Sequence, residues 1–270
     1  MDAELRVGVT RRPVAAHALT PHVLSRRSVI AGASALVLAG AVANASKASA
    51  LTSTTQTVWV FGDSIAKGGW LADPQQGWSF VLQRAAAAQG ITVTDHSVGG
   101  IALHHPGSTN LALPWIQSVF TQQGTVPDTV IVSLGTNDCT CHQLAAPKGS
   151  AQDMFYTLNA ALNVDNYLKS KGVKRVVWNT VYPFGMHAPT WFNPAGTPAG
   201  WVPLLNGRAD YINGWLNAMW AGQGRVLNTN PILRDWPTVT KGADKYFLDG
   251  MHPNTEGHAR IAAEIFLSAL

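Results

Sequence analysis

The sequence predicts an α/β fold in which helices cover both faces of a parallel β-sheet. Short apolar runs rich in β-branched and aromatic residues alternate along the chain with longer stretches of helical periodicity. Without its first 50 residues, the 270-residue chain keeps 220, which suits one domain with a large core. Strands that alternate with helices in this way form parallel sheets.

The pattern predicts five strands and five helices between residue 57 and the end of the chain. A stretch of about twenty residues between Pro183 and Pro203 is expected to lack secondary structure, and a stretch of that length is usually functional or disordered. His258 is expected on the surface of the last helix. The expected strands cover 57–62, 91–96, 129–134, 174–181 and 225–228, and the helices cover 78–89, 112–123, 150–170, 204–220 and 255–270.

The first fifty residues resemble a cleavable export signal of the twin-arginine type. Arg26 and Arg27 precede an apolar stretch over 29–43, and Ala48-Ser49-Ala50 forms a small-residue cleavage site. A membrane anchor is the alternative, but the apolar stretch falls short of the ~20 residues that a transmembrane helix needs. We therefore expect a secreted bacterial protein with a signal over 1–50, a mobile leader over 51–56 and one domain over 57–270.

The basic character of the chain belongs to this signal. Residues 1–50 hold six of the 19 Lys and Arg residues and two of the 15 Asp and Glu residues, so 13 of each sign remain. A domain with no formal net charge gives no indication of a nucleic-acid partner. We expect a monomer without a stable membrane span.

Ser64 stands at the point where the first predicted strand ends. The stretch 57–68 reads TVWVFGDSIAKG, a buried apolar strand that breaks at Gly62. Open α/β sheets bind their ligands at the carboxyl edge of the strands. Ser64 is therefore a candidate nucleophile, and a plain turn in which Ser64 caps a helix is the structural alternative.

Three further blocks follow in a characteristic order. Together the four blocks resemble those of the SGNH hydrolases, also called the GDSL esterase/lipase family, and the resemblance runs from about Val58 to the end of the chain. Ile65 replaces the usual Leu of the first block. The matching blocks are Gly62-Asp63-Ser64, Gly100, Gly135-Thr136-Asn137-Asp138 and Asp249-x-x-His252-Pro253.

The resemblance implies a flavodoxin-like three-layer α/β/α sandwich around a central parallel sheet of about five strands, in the order 2-1-3-4-5. It also implies hydrolysis of carboxyl esters without a cofactor. Because no metal takes part in that reaction, we expect no metal site.

The residue types at these positions suit attack on an ester carbonyl. Ser64 supplies the oxygen nucleophile, His252 is the candidate base because imidazole titrates near neutral pH, and Asp249 can orient the ring. The expected oxyanion donors are the backbone N–H groups of Ser64 and Gly100 and the side-chain amide of Asn137. Asp63 is interpreted as a structural carboxylate that binds nearby backbone.

Two further features lie near the predicted site. Cys139 and Cys141 are the only cysteines, and in an exported chain we expect a disulfide that stiffens the loop behind Asn137. With His142 adjacent, a metal site is the alternative, although structural zinc needs four ligands. Trp191 and Trp201 lie in the long Gly/Pro-rich stretch and are candidates for an aromatic substrate wall, or for packing over the core; Trp70 lies in a similar loop.

The sequence therefore predicts a secreted serine esterase. Its substrate is a small-molecule, lipid or acetylated-polysaccharide ester. One alternative is a metal-dependent phosphoesterase with Asp63, Asn137, Asp138 and His252 as ligands, although the dense His/Asp cluster of two-metal enzymes is missing from the sequence. The other is a carbohydrate-binding module that kept the fold without catalysis.

Overall fold

The computed structural model describes residues 55–105, 109–140, 151–185, 198–233 and 245–270, excepting the side chains of 151–154 and 198–203. In this part of the chain, five strands form one sheet in the order β2-β1-β3-β4-β5, and every pairing is parallel. The strands are β1 (Thr57–Gly62), β2 (Thr92–Asp95), β3 (Thr129–Ser133), β4 (Arg175–Asn179) and β5 (Val226–Leu227).

The described helices are α1 (Trp78–Ala87), α2 (Ala112–Gln123), α3 (Thr136–Thr140), α4 (Ala151–Ser170), α5 (Pro198–Trp220), α6 (Asn230–Leu233) and α7 (Thr255–Ala269). None of them is both long and apolar enough to cross a lipid bilayer.

Two hydrophobic cores lie on opposite faces of the sheet. Trp59, Phe61 and Trp178 face the core that α2, α4 and α5 cover. Val58 and Val60, which alternate with them along β1, face the core under α1 and α7. A strand buried on both faces needs a continuous apolar run, and β1 and β3 have one. The expected three layers and the expected strand order are confirmed.

The prediction of a structureless stretch up to Pro203 is wrong at its end. Helix α5 begins at Pro198, six residues before the expected start, so Trp201 is helical. Proline suits the start of a helix because its ring fixes φ and its missing N–H is not needed there. Trp191 and residues 186–197 lie outside the described part of the chain.

His258 is fully buried, so its expected surface position is also wrong. Its Nδ1 accepts a hydrogen bond of 3.2 Å from the backbone N–H of Trp78 at the start of α1. Burial, with a smaller contribution from nearby His252, lowers the pKa of His258 to about 4. The ring is therefore neutral near pH 7 and links α7 to α1.

Candidate active site

Ser64 lies two residues beyond the end of β1, on a turn that has no room for side chains beside it. A Cβ on Gly62 would come 2.3 Å from the Cβ of Ala66, and a Cβ on Gly69 would come 2.9 Å from the carbonyl oxygen of Ser64. The N–H of Gly69 donates to that oxygen over 2.7 Å. These close approaches hold the Ser64 backbone at the carboxyl edge of the sheet.

Asp249 and His252 share one tight turn before α7. One oxygen of Asp249, Oδ1, accepts the backbone N–H groups of Met251 (2.9 Å) and His252 (2.7 Å). The other oxygen, Oδ2, lies 2.8 Å from Nδ1 of the His252 ring. Gly250 has φ +77°, a left-handed conformation that glycine adopts without strain. A single carboxylate thus fixes both the turn and the orientation of the imidazole.

The structure brings this turn to Ser64. The Ser64 Oγ lies 3.0 Å from Nε2 of His252, although 188 residues separate the two in sequence. The His252 side chain is buried, whereas Asp249 is partly exposed. Half-burial raises the pKa of the Asp249 carboxyl, but its hydrogen bonds from His252 outweigh that effect and leave the pKa below its usual value. Asp249 is therefore an anion at neutral pH.

The backbone that follows β2 runs beside Ser64 and turns at Gly100. Its N–H at Val98 donates to the Gly62 carbonyl, and Ile101 N donates back to Val98 O to close the turn. Gly100 has φ +75°, as the third residue of a type II turn requires. A Cβ on Gly99 would lie 3.9 Å from the Ser64 Cβ, so this turn is next to Ser64.

Asn137 and Asp138, on the short helix α3 after β3, bind the same turn from the other side. The Nδ2 of Asn137 donates to Ile101 O over 2.9 Å. Asp138 accepts the N–H of Leu103 on Oδ2 (2.9 Å) and that of His104 on Oδ1 (2.7 Å). Asp138 is a positioning residue that fastens the Gly100 segment to α3, and sequence analysis missed this role.

Asp63 is the structural carboxylate that the sequence predicts. Its Oδ1 accepts the backbone N–H of Ile65 over 2.9 Å, and the side chain is buried. Burial raises the pKa of Asp63 to about 6, although the hydrogen bond from Ile65 and the proximity of His252 lower it. Burial therefore favours the neutral form of Asp63 in the folded protein, although the hydrogen bond from Ile65 favours the anion.

This shift predicts a pH-dependent stability. The pKa of folded Asp63 lies above its ordinary 3.8. The folded protein therefore binds this proton more tightly, and its free energy of unfolding falls as pH rises from about 4 to about 6. Asp63→Asn mimics the neutral acid and keeps the acceptor for Ile65. Denaturant titrations should show the variant gaining about 2–3 kcal/mol over wild type across this window. Parallel curves for the two proteins would contradict the assignment.

The remaining predicted site residues are only partly described. Cys139 is buried on α3, and its carbonyl oxygen accepts a hydrogen bond of 2.7 Å from Nη1 of Arg208. Cys141 lies outside the described residues, so the disulfide stays a prediction. Trp191 also lies outside them, and of Trp201 only the helical backbone is described, so the substrate wall stays a prediction too.

The four candidate ligands of the metal-dependent alternative are engaged with protein groups. Asp63 and Asp138 accept backbone N–H groups, Asn137 donates to a carbonyl, and His252 contacts Ser64 and Asp249. Among the residues that the structure describes, no three His, Cys, Asp or Glu side chains are grouped so that they could hold a metal ion.

A family model describing GDSL-like lipases and acylhydrolases matches residues 60–260. The chain belongs to this family. This SGNH-type enzyme is accordingly a carboxyl-ester hydrolase, and the matched range includes Ser64, Asn137 and His252. A search of curated protein sequences gave no match.

Solved structures share the fold of this GDSL-family chain at low sequence identity. An acetyl xylan esterase is 18% identical with a TM-score of 0.56, and covers 79% of this chain and 100% of its own. A protein from Agrobacterium tumefaciens named as an arylesterase is 18% identical with a TM-score of 0.55, and the match covers 79% of this chain and 97% of that protein. A protein from Bacteroides fragilis named as an acylhydrolase is 16% identical with a TM-score of 0.53, and the match covers 83% of this chain and 91% of that protein.

Proposed function

We propose that the chain is an exported serine esterase in which Ser64 attacks the acyl carbon, His252 transfers the proton and Asp249 orients His252. The observation that carries this proposal is the continuous line of contacts, 3.0 Å from Ser64 Oγ to His252 Nε2 and 2.8 Å from Nδ1 to Asp249 Oδ2. With Nδ1–H donating to the Asp249 anion, Nε2 keeps its lone pair and accepts the Ser64 proton.

The reaction then proceeds in two balanced halves. Ser64 Oγ bonds to the ester carbonyl carbon while its proton moves to Nε2, and the carbonyl electrons move onto the oxygen. When the electrons return, the C–O bond to the alcohol breaks, and Nε2–H protonates the leaving alkoxide. Water, deprotonated by His252, attacks the acyl-enzyme in the same way and releases the acid and free Ser64.

We assign the oxyanion to the N–H groups of Ser64 and Gly100 and to the amide of Asn137. The position of the Gly100 turn beside Ser64 supports this assignment. Nδ2 of Asn137 carries two protons, and its bond to Ile101 O uses one of them. The same bond fixes the rotamer, so the second N–H is held ready for a developing negative charge.

Asn137→Ala should lower kcat by ~10²–10³-fold, the usual cost of one lost oxyanion donor. The substitution also removes the bond to Ile101, so thermal unfolding should be measured alongside steady-state kinetics. Thr140→Ala removes a neighbouring hydrogen bond to the Asn137 carbonyl without removing the donor, and is the matched control. A loss for Asn137→Ala that appears in KM with kcat unchanged would contradict the role.

We propose a carboxylic ester as the substrate, either a lipid-like ester or an acetyl group on a polysaccharide. The names of the structural neighbours include an acetyl xylan esterase and an assigned arylesterase, which motivates testing sugar acetates and aryl esters first. A panel of 4-nitrophenyl esters of increasing acyl length, together with acetylated xylan and a phospholipid, separates these classes.

The reaction type is tested with 4-nitrophenyl acetate. Hydrolysis should persist in the presence of a metal chelator and stop after treatment with a serine-reactive phosphonate. Mass spectrometry should find one phosphonate, on the peptide that carries Ser64. Activity that a chelator removes and a divalent metal restores would favour the phosphoesterase-type alternative, and a protein inert toward every ester would favour the binding module.

Export rests on Arg26-Arg27, the apolar stretch after it and Ala48-Ser49-Ala50. Expression of the full chain in a bacterium should release a protein whose first residue, by amino-terminal sequencing, is Leu51. Replacing both arginines with lysine should keep the protein inside the cell; export unaffected by that change would contradict the twin-arginine route.

A further inference from the structure

Trp70 has an exposed indole beside the candidate base. Its side chain is 68% exposed, which is unusual for the largest apolar residue. The centre of its ring system lies 5.5 Å from the centre of the His252 ring, with a tilt of 46° between the planes. The indole therefore forms part of the surface that a substrate meets next to His252.

The backbone of Trp70 is strained. Its φ is 71°, and among the described residues it is the only one other than glycine with positive φ. In a bulky residue this conformation is an outlier that persists only where the surroundings enforce it, and such outliers cluster at functional sites. Burial of the side chain does not account for the strain, because the indole is exposed.

The surrounding turn enforces this conformation. Leu71 N donates to Gly68 O over 3.3 Å, so Trp70 is the third residue of a tight turn. Gly69, the second residue of that turn, donates its N–H to Ser64 O. Gly68 packs against Gly77, where a Cβ on Gly68 would come 2.7 Å from the Gly77 Cα. The same hydrogen bond that fixes the nucleophile backbone thus also fixes the direction in which Trp70 projects.

The space beside the His252 ring is where the alcohol part of the ester should lie. In the proposed mechanism Nε2 passes its proton to the alkoxide oxygen of the leaving alcohol. That oxygen must come within about 3 Å of Nε2, so the alcohol lies next to the imidazole. The carbonyl oxygen points instead toward the donors at Gly100 and Asn137. The exposed indole is therefore on the alcohol side of the site.

We propose that Trp70 is the binding surface for the alcohol portion of the substrate, and that it selects alcohols that carry a six-membered ring over small alkyl alcohols. This inference rests on the proposed function of Ser64 and His252. An indole face stacks on aromatic rings and on the C–H faces of sugars, and such contacts add free energy beyond simple area burial. Phenols and pyranose sugars share this chemistry, and the experiment below separates them.

The test compares wild type with Trp70→Ala on two series of esters. The first series keeps the acetyl group and varies the alcohol: methyl acetate, phenyl acetate and an acetylated methyl xyloside. The second keeps 4-nitrophenol and varies the acyl chain. Trp70→Ala should lower kcat/KM for the ring alcohols by about 10-fold and leave methyl acetate within about 2-fold. The ratios within the acyl series should stay unchanged, and Trp70→Phe should recover most of the loss.

A second measurement separates substrate binding from an indirect effect through His252. All acetates form the same acetyl-enzyme, and its hydrolysis involves no alcohol. The rate of that step, measured from the burst and steady-state phases, should therefore be equal in wild type and Trp70→Ala. A residue that merely positioned His252 would slow this step as well, and equal losses on every ester would overturn the proposal.

Two control variants complete the experiment. Leu267→Ala removes an apolar side chain that is almost as exposed (66%) but lies at the far end of α7. There Arg175, at the start of β4, donates a hydrogen bond to the carbonyl of Ser268. This variant should leave the kcat/KM values of both series unchanged. Trp70→Gly should unfold at the same temperature as Trp70→Ala or higher, because glycine tolerates the positive φ.

The failure of this inference is distinguishable from failure of the proposed function. Suppose that labelling of Ser64 abolishes wild-type activity but Trp70→Ala keeps the alcohol preference of wild type. That result rejects the role of Trp70 and leaves the proposed function standing. A shift in the acyl series instead of the alcohol series also rejects the role of Trp70. Of the two ring classes, the one with the larger loss identifies the natural alcohol.

Discussion

Ser64→Ala is expected to lower kcat for ester hydrolysis by about 10⁶-fold, the loss seen when the nucleophile of a Ser-His-Asp enzyme is removed. Without Oγ there is no atom to form the acyl-enzyme, and the proton acceptor Nε2, 3.0 Å away, has no proton to take. The hydroxyl lies at the edge of the sheet and outside both cores, so the fold should remain intact.

The measurement is single-turnover and steady-state hydrolysis of 4-nitrophenyl acetate, with thermal unfolding to verify the fold. Ser97→Ala is the matched control, since Ser97 also follows a strand at this edge but its hydroxyl binds the Asp95 carboxylate over 2.5 Å. The Ser97 hydroxyl is buried against Asp95, so kcat of the control should stay close to that of wild type. Phosphonate labelling that persists in Ser64→Ala would transfer the nucleophile role to another residue.

Asp249→Asn is expected to lower kcat by up to ~10⁴-fold, as the corresponding change does in the Ser-His-Asp template. The amide oxygen can keep the two backbone N–H groups that Oδ1 now accepts, which leaves the NH₂ group facing His252 Nδ1. Nδ1 must then accept, so the ring proton moves to Nε2. In that tautomer Nε2 cannot accept the proton of Ser64.

The pH profile tests whether the Asp249 anion is the group on which the activity depends. The pKa of folded Asp249 lies below its ordinary value. The stabilising interaction between Asp249 and His252 is therefore fully present above the ordinary pKa, and it is lost only as pH falls through the lowered pKa. The loss in Asp249→Asn should therefore be present at neutral pH and shrink only in acid, where wild-type Asp249 also loses its charge. Asp128→Asn, at the opposite edge of the sheet beside Thr57, is the control. Wild-type activity in Asp249→Asn would remove Asp249 from the mechanism.

The strands and most helix bounds could be predicted from the sequence because their signals are local. A parallel strand buried on both faces is a continuous apolar run, and β1 occupies the expected residues Thr57–Gly62. The start of α5 was missed because 198–203 contain proline and glycine, which are poor helix formers inside a helix, whereas proline suits the first turn of one. Helices of four or five residues, such as α3, are too short to show a period.

The candidate site residues could be named from motif order, whereas their geometry could not. Adjacent Asn137 and Asp138 look alike in sequence, yet the amide of Asn137 donates to the carbonyl of Ile101, whereas the carboxylate of Asp138 accepts the backbone N–H groups of Leu103 and His104. The left-handed Trp70 has no sequence signal of its own. Gly68 and Gly69, which precede it, indicate a turn, but only the structure shows that the indole lies beside the His252 ring.

The distance in sequence between Ser64 and His252 makes their contact a reporter of long-range packing. The two residues lie 188 positions apart, and His252 stands on the turn just before α7. That turn is held in place by the packing of α7 against the start of α1 and the residues before it, where His258 accepts from Trp78 and Thr255 donates to Gln76. If His252 is the base, a molecule in which α7 has separated from α1 should hold an unactivated Ser64. The rate of reaction with a serine-directed phosphonate during refolding would then follow the docking of α7.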